Sequence, residues 1–155
     1  MTQLVSGHDA QIAAWVRSKI PGQPAFGPCV AIGMMDSGRR MLGGIVFHSW
    51  DAGSRVIWFT LASVRPSWAT PGTFHALLSY AFDQAGARKC MALIASDNVK
   101  SLKLARRLRL RNGARFKEEA VLRHQFAHKR HGVIFSLMED EFRRVPVPRL
   151  VREAA

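Results

Sequence analysis

The stretch that decides the fold of this chain is Cys90-Met91-Ala92-Leu93-Ile94-Ala95-Ser96-Asp97-Asn98-Val99-Lys100-Ser101-Leu102-Lys103-Leu104-Ala105-Arg106-Arg107-Leu108. Its apolar beginning predicts a buried strand over 89–95. Asn98 supplies helix N-cap chemistry, and Leu102, Ala105 and Leu108 then recur at helical spacing with basic residues between them. We therefore predict that the strand runs directly into an amphipathic helix over 99–108.

Upstream of this stretch the pattern predicts one helix and then three strands joined by short turns. Ser6 is placed to cap the helix, and Pro21-Gly22 ends it. Asp36-Ser37-Gly38 and Asp51-Ala52-Gly53-Ser54 are turn signals. The predicted elements are the helix His8–Lys19 and the strands Cys29–Met35, Met41–Trp50 and Arg55–Ser63.

A second helix is predicted from Pro71 to about Ala85, because Thr70 is a good N-cap and proline favours the first helical position. Strands are predicted over 115–127 and 132–142, followed by an irregular tail from Arg143. The order α-β-β-β-α-β-α-β-β indicates a mixed α/β fold, a twisted sheet flanked by helices in a single domain over 1–155. We expect the strands 55–63 and 89–95 to be parallel, since the connection between them is long enough for a crossover.

Composition narrows the class of protein. The chain has 155 residues, of which 48% are hydrophobic, enough for one core. It contains no apolar run long enough for a membrane span and no readable secretory signal. Cys29 and Cys90 lie in apolar runs, away from any metal-ligand spacing, and are interpreted as structural thiols of a reducing compartment. We expect a cytoplasmic protein without a metal.

The net charge of +12 is concentrated between Arg88 and Arg130. A basic field attracts polyanions such as nucleic acid, an acidic protein surface or a phosphate-rich cofactor. A solvated basic face explains the same charge, and both readings stay open.

Asn98-Val99-Lys100-Ser101, with the helix that follows, resembles the second cofactor-binding segment of the GNAT acetyltransferase superfamily. The triplet that closes this segment in the family is Leu-Gly-Phe, and here it is Leu108-Arg109-Leu110. A divergent branch of this family, common in phages and proteobacteria, has the motif Pro-x-Trp-x-Thr before the helix and resembles ribosomal-protein N-acetyltransferases. The segment Pro66-Ser67-Trp68-Ala69-Thr70 is similar to that motif. The resemblance covers roughly residues 8 to 142 and extends the expected fold to a GNAT-like sheet.

The resemblance implies that the strands 55–63 and 89–95 are splayed and that acetyl-CoA binds between them. Its pantetheine arm would lie beside the strand 58–62, and its pyrophosphate would meet the unpaired N–H groups at the helix start 70–73. Asn98 would lie beside the arm, although a helix cap would look the same in sequence. The implied cofactor-binding residues are Thr60, Leu61, Ala62, Val64, Trp68, Thr70, Gly72, Thr73, Asn98 and Ser101.

Two catalytic groups of many family members are missing from this chain. No Glu stands in the strand 58–62, and Ala105 occupies the position of the helix tyrosine. Ser101, or water, would protonate the leaving thiolate instead. His48 is the preferred base, since histidine suits proton transfer near neutral pH, with water as its rival.

Other titratable residues have simpler interpretations. Glu118, Glu119 and His131 are further base candidates, but the two glutamates also fit ion pairs with neighbouring basic residues. His124, His128 and His131 fit a surface or turn position better than a metal site. Tyr80 is interpreted as a core residue of the helix that begins at Pro71.

The sequence therefore predicts an N-acetyltransferase that moves an acetyl group from acetyl-CoA directly to an amine in a ternary complex. It does not identify the amine, although the positive charge slightly favours an acidic or nucleic-acid-linked acceptor. The alternative is a non-catalytic module that binds nucleic acid or an acidic, ribosomal surface through its basic face. A homodimer is compatible with either function.

Overall fold

A computed structural model describes residues 1–145 as one seven-stranded sheet with helices on both faces. The strands are β1 (Gln3–Val5), β2 (Cys29–Met35), β3 (Met41–Asp51), β4 (Val56–Ser63), β5 (Lys89–Ala95), β6 (Lys117–Phe126) and β7 (Arg130–Met138). The helices are α1 (Asp9–Lys19), α2 (Pro71–Ser79), α3 (Val99–Arg107) and α4 (Glu139–Arg143). Short 3₁₀ turns cover Pro66–Trp68 and Ala127–Lys129, and a π-helical turn, Tyr80–Gln84, extends α2.

The predicted element order is confirmed, with one short element added at each end of the described chain. β1 precedes α1 and pairs with β2. The strand predicted over 132–142 was wrong at its end, because β7 stops at Met138 and 139–143 form α4. Three acidic residues fill the first turn of α4, where negative charge suits the helix dipole.

Two predictions at the ends of helices also need correction. Ser6 does not cap α1, which starts after His8 and has no side-chain cap. Asp9 instead accepts a hydrogen bond from the backbone N–H of Ala31 at 2.9 Å and so ties the helix to β2. Arg143, predicted to open the irregular tail, is the last residue of α4. The remainder of that predicted tail, from residue 146 onward, lies outside the described residues.

The sheet separates in its middle. Its strand order is β1-β2-β3-β4-β5-β7-β6, and β4 and β5 are parallel. Their pairing runs only from Val56 with Lys89 to Phe59 with Ala92, although β4 pairs with β3 up to Ser63 and β5 pairs with β7 up to Ala95. The predicted parallel, splayed pair is therefore confirmed.

Each face of the sheet has its own apolar core. On one face Val16 of α1 is fully buried against Gly44, where an added Cβ would come within 2.7 Å of Val16 Cγ2. The opposite face is covered by α2, whose Leu77 and Leu78 are fully buried, and by α3, whose Leu102 packs with residues of β7. The gap between β4 and β5 is thus an opening in the sheet between its two faces.

Trp68 fixes the loop that leads from β4 into α2. Its side chain is fully buried, and the indole N–H donates to Ser63 Oγ at 2.8 Å. Gly43 leaves room for the ring, because a Cβ there would lie 3.1 Å from Trp68 Nε1. The start of α2 is therefore held at a set position beside the gap.

Candidate active site

A cavity of about 640 Å³ occupies the gap between β4 and β5. Its walls include strand residues from both sides of the gap, among them Phe59, Thr60 and Leu61 of β4 and Leu93 and Ile94 of β5. Because neighbouring residues of a strand point to opposite faces, these side chains belong to both faces of the sheet. The cavity therefore passes through the sheet.

The wall on the α1 face carries the polar side chains of β3 and β4. His48 and Trp58 are directly paired across the two strands, and Thr60 lies on the same side of β4. Lys19, the last residue of α1, and the loop 20–24 that follows it close the cavity on this face.

The wall on the opposite face is mainly apolar. Phe59 and Leu61 contribute from β4, Phe74 from α2, and Leu104 and Ala105 from α3. A slot with these walls suits a slender, uncharged chain. The backbone edges of β4 and β5 beyond Phe59 and Ala92 do not pair with each other, so they remain as hydrogen-bonding groups for such a chain.

Asn98 performs the capping role that its position suggests. Its side-chain oxygen accepts a hydrogen bond from the backbone N–H of Ser101 at 3.2 Å. Both residues also line the cavity. Within residues 1–145 the Asn98 side-chain NH₂ group has no hydrogen-bond partner, so capping leaves two donors available at the wall.

The start of α2 lies just beyond the cavity wall formed by Phe74. Thr70 caps the helix by accepting from the N–H of Thr73 at 3.2 Å. The guanidinium of Arg111 lies over Gly72, where an added Cβ would be 3.2 Å from Arg111 Nη2. An exposed arginine and a helix N-terminus together form an electropositive corner that suits a phosphate group.

His48 is held by two hydroxyl groups. Its Nε2 lies 2.9 Å from Thr60 Oγ1, and its Nδ1 lies 2.9 Å from Ser49 Oγ. The ring of Phe26 packs against it at a centroid distance of 5.3 Å. Burial lowers the pKa of His48 below its usual value of 6.5, which keeps the imidazole neutral and able to accept a proton at neutral pH.

The other three base candidates lie outside the cavity wall. Glu118 accepts a hydrogen bond from Arg106 and forms an ion pair with it. Glu119 accepts from Ser136, and that hydrogen bond, with Lys89 nearby, holds the pKa of the carboxyl below its usual value. His131 Nδ1 accepts from the backbone N–H of His124 at 3.1 Å. Of the four candidates, only His48 lines the cavity.

No tyrosine is placed to act in the cavity. Ala105 lines the wall, one turn of α3 after Ser101. The chain's single tyrosine, Tyr80, lies in the π-helical turn and packs against Phe47 at a centroid distance of 5.0 Å. Its interpretation as a core residue is supported by this packing.

The predicted site residues fall into two groups. Those that line the cavity are His48, Thr60, Leu61, Asn98 and Ser101. Those outside its wall are Ala62, Val64, Trp68, Thr70, Gly72 and Thr73. Ala62 and Trp68 are buried in the core, and the Val64 N–H is bonded to Leu42 O at 2.9 Å.

Sequence reasoning missed several residues of the site. Arg111 and Lys19 come from distant parts of the chain, and neither belongs to a motif. Arg130 also lines the cavity and makes two hydrogen bonds to Asp97, at 2.8 and 2.9 Å. The position of Asp97 at the carboxyl end of a predicted central strand was the one usable signal for that pair.

The two cysteines and the possible metal ligands of residues 1–145 are the remaining candidates for a chemical role. Burial raises the pKa of the Cys90 thiol well above its usual range, and burial followed by the charge of Asp9 raises that of Cys29. Across residues 1–145 no group of three or more His, Cys, Asp or Glu side chains is arranged to hold a metal ion.

None of the helices within residues 1–145 has the length and apolar character required to cross a membrane.

Known structures share this fold at low sequence identity. No protein-family model and no curated protein matches the chain. A dodecameric spermidine N-acetyltransferase from Vibrio cholerae is 11% identical with a TM-score of 0.73, over 92% of this chain and 96% of that one. A chimera of the Vibrio cholerae enzyme SpeG with hSSAT is 12% identical with a TM-score of 0.71, over 91% and 98%. A manganese complex of SpeG is 13% identical with a TM-score of 0.68, over 91% and 94%.

Proposed function

We propose that this chain, which has the fold of the GNAT-superfamily N-acetyltransferases, transfers an acetyl group from acetyl-CoA to a primary amine. The observation that carries the proposal is the cavity through the gap between β4 and β5. It offers one polar wall, one apolar wall and two unpaired strand edges at the point where the sheet opens.

The cofactor would enter from the α2 and α3 face. The pantetheine arm would extend along the free edge of β4 at Thr60–Ser63, with Leu61 and Asn98 beside it. Thr70, Gly72 and Thr73, with Arg111, would receive the pyrophosphate at the start of α2. Trp68, Ala62 and Val64 would support this arrangement from the core and from the backbone rather than through side-chain contact.

The acceptor amine would approach from the α1 face, where His48 and Thr60 line the cavity. Its nitrogen forms a bond to the thioester carbonyl carbon, the carbon–sulfur bond breaks, and coenzyme A leaves as the thiol. His48 takes the ammonium proton through the Thr60 hydroxyl, which lies 2.9 Å from Nε2. Ser101, at the wall on the opposite face, is the preferred proton donor to sulfur, with water as the rival.

Positioning should supply most of the rate. Well-oriented reactants can contribute roughly 7–11 kcal/mol, whereas a single general acid or base typically contributes about 10²–10⁴-fold. The chain lacks a glutamate at the strand wall and a tyrosine on α3, so no one residue should be indispensable.

Acetyl-CoA binding is the first test. We expect acetyl-CoA to raise the Tm of the native protein, since a ligand that binds only the folded state stabilises it. Asn98→Ala and Ser101→Ala should bind acetyl-CoA more weakly in calorimetry. Asn98→Ser keeps a capping oxygen but loses the amide, so it separates cofactor contact from the roughly 1 kcal/mol contributed by the cap. Native affinity in all three folded variants would remove these residues from the cofactor site.

Turnover is the second test, measured as thiol release over a broad panel of primary amines. Transfer to at least one amine is expected. Binding of acetyl-CoA without transfer to any amine would instead favour a non-catalytic role.

The second candidate function is a non-catalytic one, the binding of nucleic acid, and the basic surface of α3 and of the loop after it supports this function. Its residues are exposed and, among residues 1–145, make no ion pair with a carboxylate: Lys100, Lys103, Arg107, Arg109, Arg111 and Arg115. Such a surface would bind nucleic acid with an affinity that falls steeply as salt rises. Binding that is tight and salt-dependent in the absence of transfer would decide for this alternative.

A further inference from the structure

The half of the cavity on the α1 face sets the polar side chains of His48 and Thr60 beside the aromatic rings of Trp58 and Phe126. We call it the acceptor half and define it by Lys19, the loop 20–24, His48, Trp58, Thr60, Leu93, Phe126 and Arg130, all of which line the cavity. Strand register places them together: His48 pairs with Trp58, and Leu93 lies on the face of β5 that Trp58 occupies on β4. The rings of Trp58 and Phe126 offer apolar surface that the body of an acceptor would contact.

The charges of the acceptor half are mostly positive. Asp97 is the only carboxylate among the described residues that line the cavity, and both of its oxygens bind Arg130. Arg130 also lies over the ring of Phe126, 5.6 Å from its centroid. The pair is thus satisfied and leaves no free negative charge for a ligand.

Lys19 is a cation of the acceptor half whose ammonium lies against an aromatic ring and not against a carboxylate. It lines the cavity at the end of α1, and its Nζ lies 5.3 Å from the centroid of Trp15. Among residues 1–145 no carboxylate lies within ion-pair distance of it. A second ammonium group on the acceptor would approach this charge and would meet Asp97 already paired with Arg130, whereas an anionic group would pair with Lys19.

We infer that the acceptor is a primary amine with an apolar body and an anionic group at its far end, which Lys19 binds, and that it is not a polycationic amine. This inference rests on the proposed acetyl transfer. The likeness to spermidine N-acetyltransferases is a likeness of fold, and it does not determine which side chains line the acceptor half.

A matched pair of acceptors tests the inference. para-(Aminomethyl)benzoate and para-xylylenediamine share the benzylic amine and the ring, and they differ in the charge of the far group. We expect kcat/KM to favour the benzoate. An aminomethylphenyl phosphate distinguishes a carboxylate from a phosphate as the preferred anion, and spermidine represents the polycations.

Variants at Lys19 assign the preference to this residue. Lys19→Gln should lower kcat/KM for the benzoate by roughly fivefold, which corresponds to the upper range of an exposed ion pair. Lys19→Glu should reverse the preference toward the diamine. Arg39→Gln, an exposed position in the turn between β2 and β3, removes the same charge away from the cavity and should leave both rates unchanged.

Binding to the protein saturated with coenzyme A separates this inference from the proposed function. A calorimetric preference for the benzoate that is reversed by Lys19→Glu supports the inference even where no acetyl is transferred, in which case only the proposed transfer fails. Preference for the diamine or for spermidine in the native protein overturns the inference. A preference for the benzoate that is insensitive to Lys19→Glu overturns it as well.

Discussion

At the scale of single residues, the pair formed by His48 and Thr60 provides the sharpest test of mechanism. The neutral imidazole is the active form of a base, and burial lowers the pKa of His48 below 6.5. Activity should therefore be constant near neutral pH and fall as pH drops through that lowered pKa. We expect kcat, measured at saturating acceptor, to show an acidic limb with a midpoint below pH 6.5.

His48→Gln keeps a hydrogen-bonding group toward Thr60 but cannot take a proton. It should lower kcat by up to about 10²-fold, the lower end of the range for a general base, and it should abolish the acidic limb. Thr60→Val preserves the branched shape and removes the hydroxyl, so it should reproduce the effect if the proton passes through Thr60. An unchanged acidic limb in both variants would assign the base role to water.

At the scale of elements, the wall formed by α3 lacks a strong proton donor. Ala105 lines the cavity one turn after Ser101, and it leaves space for a larger side chain. We expect Ala105→Tyr to raise kcat, because a phenol at this wall would protonate the departing thiolate. Ala105→Phe fills the same volume without the hydroxyl and should not raise kcat. Equal rates in the two variants would show that proton donation to sulfur does not limit turnover.

The start of α2 makes a separate prediction. Arg111 lies over Gly72 beside the capped helix end, and its expected partner is the pyrophosphate. Arg111→Gln should raise the KM for acetyl-CoA by roughly fivefold to tenfold, as for the loss of an exposed charge-assisted hydrogen bond. Acetylpantetheine has no pyrophosphate, so its kcat/KM should be the same in the native protein and the variant. A similar loss with both substrates would indicate that Arg111 acts on structure.

At the scale of the whole molecule, Trp68 links folding stability to the geometry of the gap. Trp68→Ala should lower the free energy of unfolding by about 3–5 kcal/mol, the usual cost of removing a large buried aromatic ring. It should also reduce the Tm increase produced by acetyl-CoA, because the loop before α2 would lose its anchor. Trp50→Ala is the matched control, since Trp50 is 43% exposed and should unfold with nearly the native free energy. A Trp68→Ala protein with native stability would show that the loop is held by other contacts.

The sequence predicted the parts of the molecule whose signals are local. Thr70 and Asn98 are both N-caps, as their positions before α2 and α3 indicated. The parallel direction of β4 and β5 followed from the long connection between them, and their splay was implied by the family resemblance. By contrast, α4 was taken for the end of a strand, because the apolar run of β7 leads into it without a break and the acidic first turn was not used as a helix signal.

The parts that could not be predicted depend on tertiary contacts. Lys19 and Arg111 lie far apart in the sequence and approach the site only in the folded chain. Nothing in the sequence around either residue distinguishes it from the other basic residues. The assignment of base candidates shows the same limit. His48 was the preferred base, but Glu118, Glu119 and His131 stayed open as candidates, and only the pairing of β3 with β4 brings His48 to the cavity.

The early end of the pairing between β4 and β5 leaves a row of backbone amides without a strand partner across the gap. Since successive residues of a strand present their N–H groups to alternate edges, part of the backbone of 60–63 and 93–95 faces open space. These amides should exchange with deuterium quickly in the free protein, while those of Val56–Phe59 exchange slowly. An extended ligand lying in the gap would act as the missing strand, so exchange along 60–63 and 93–95 should slow when it binds. The protected amides, every second residue along each strand, would then trace its path through the sheet.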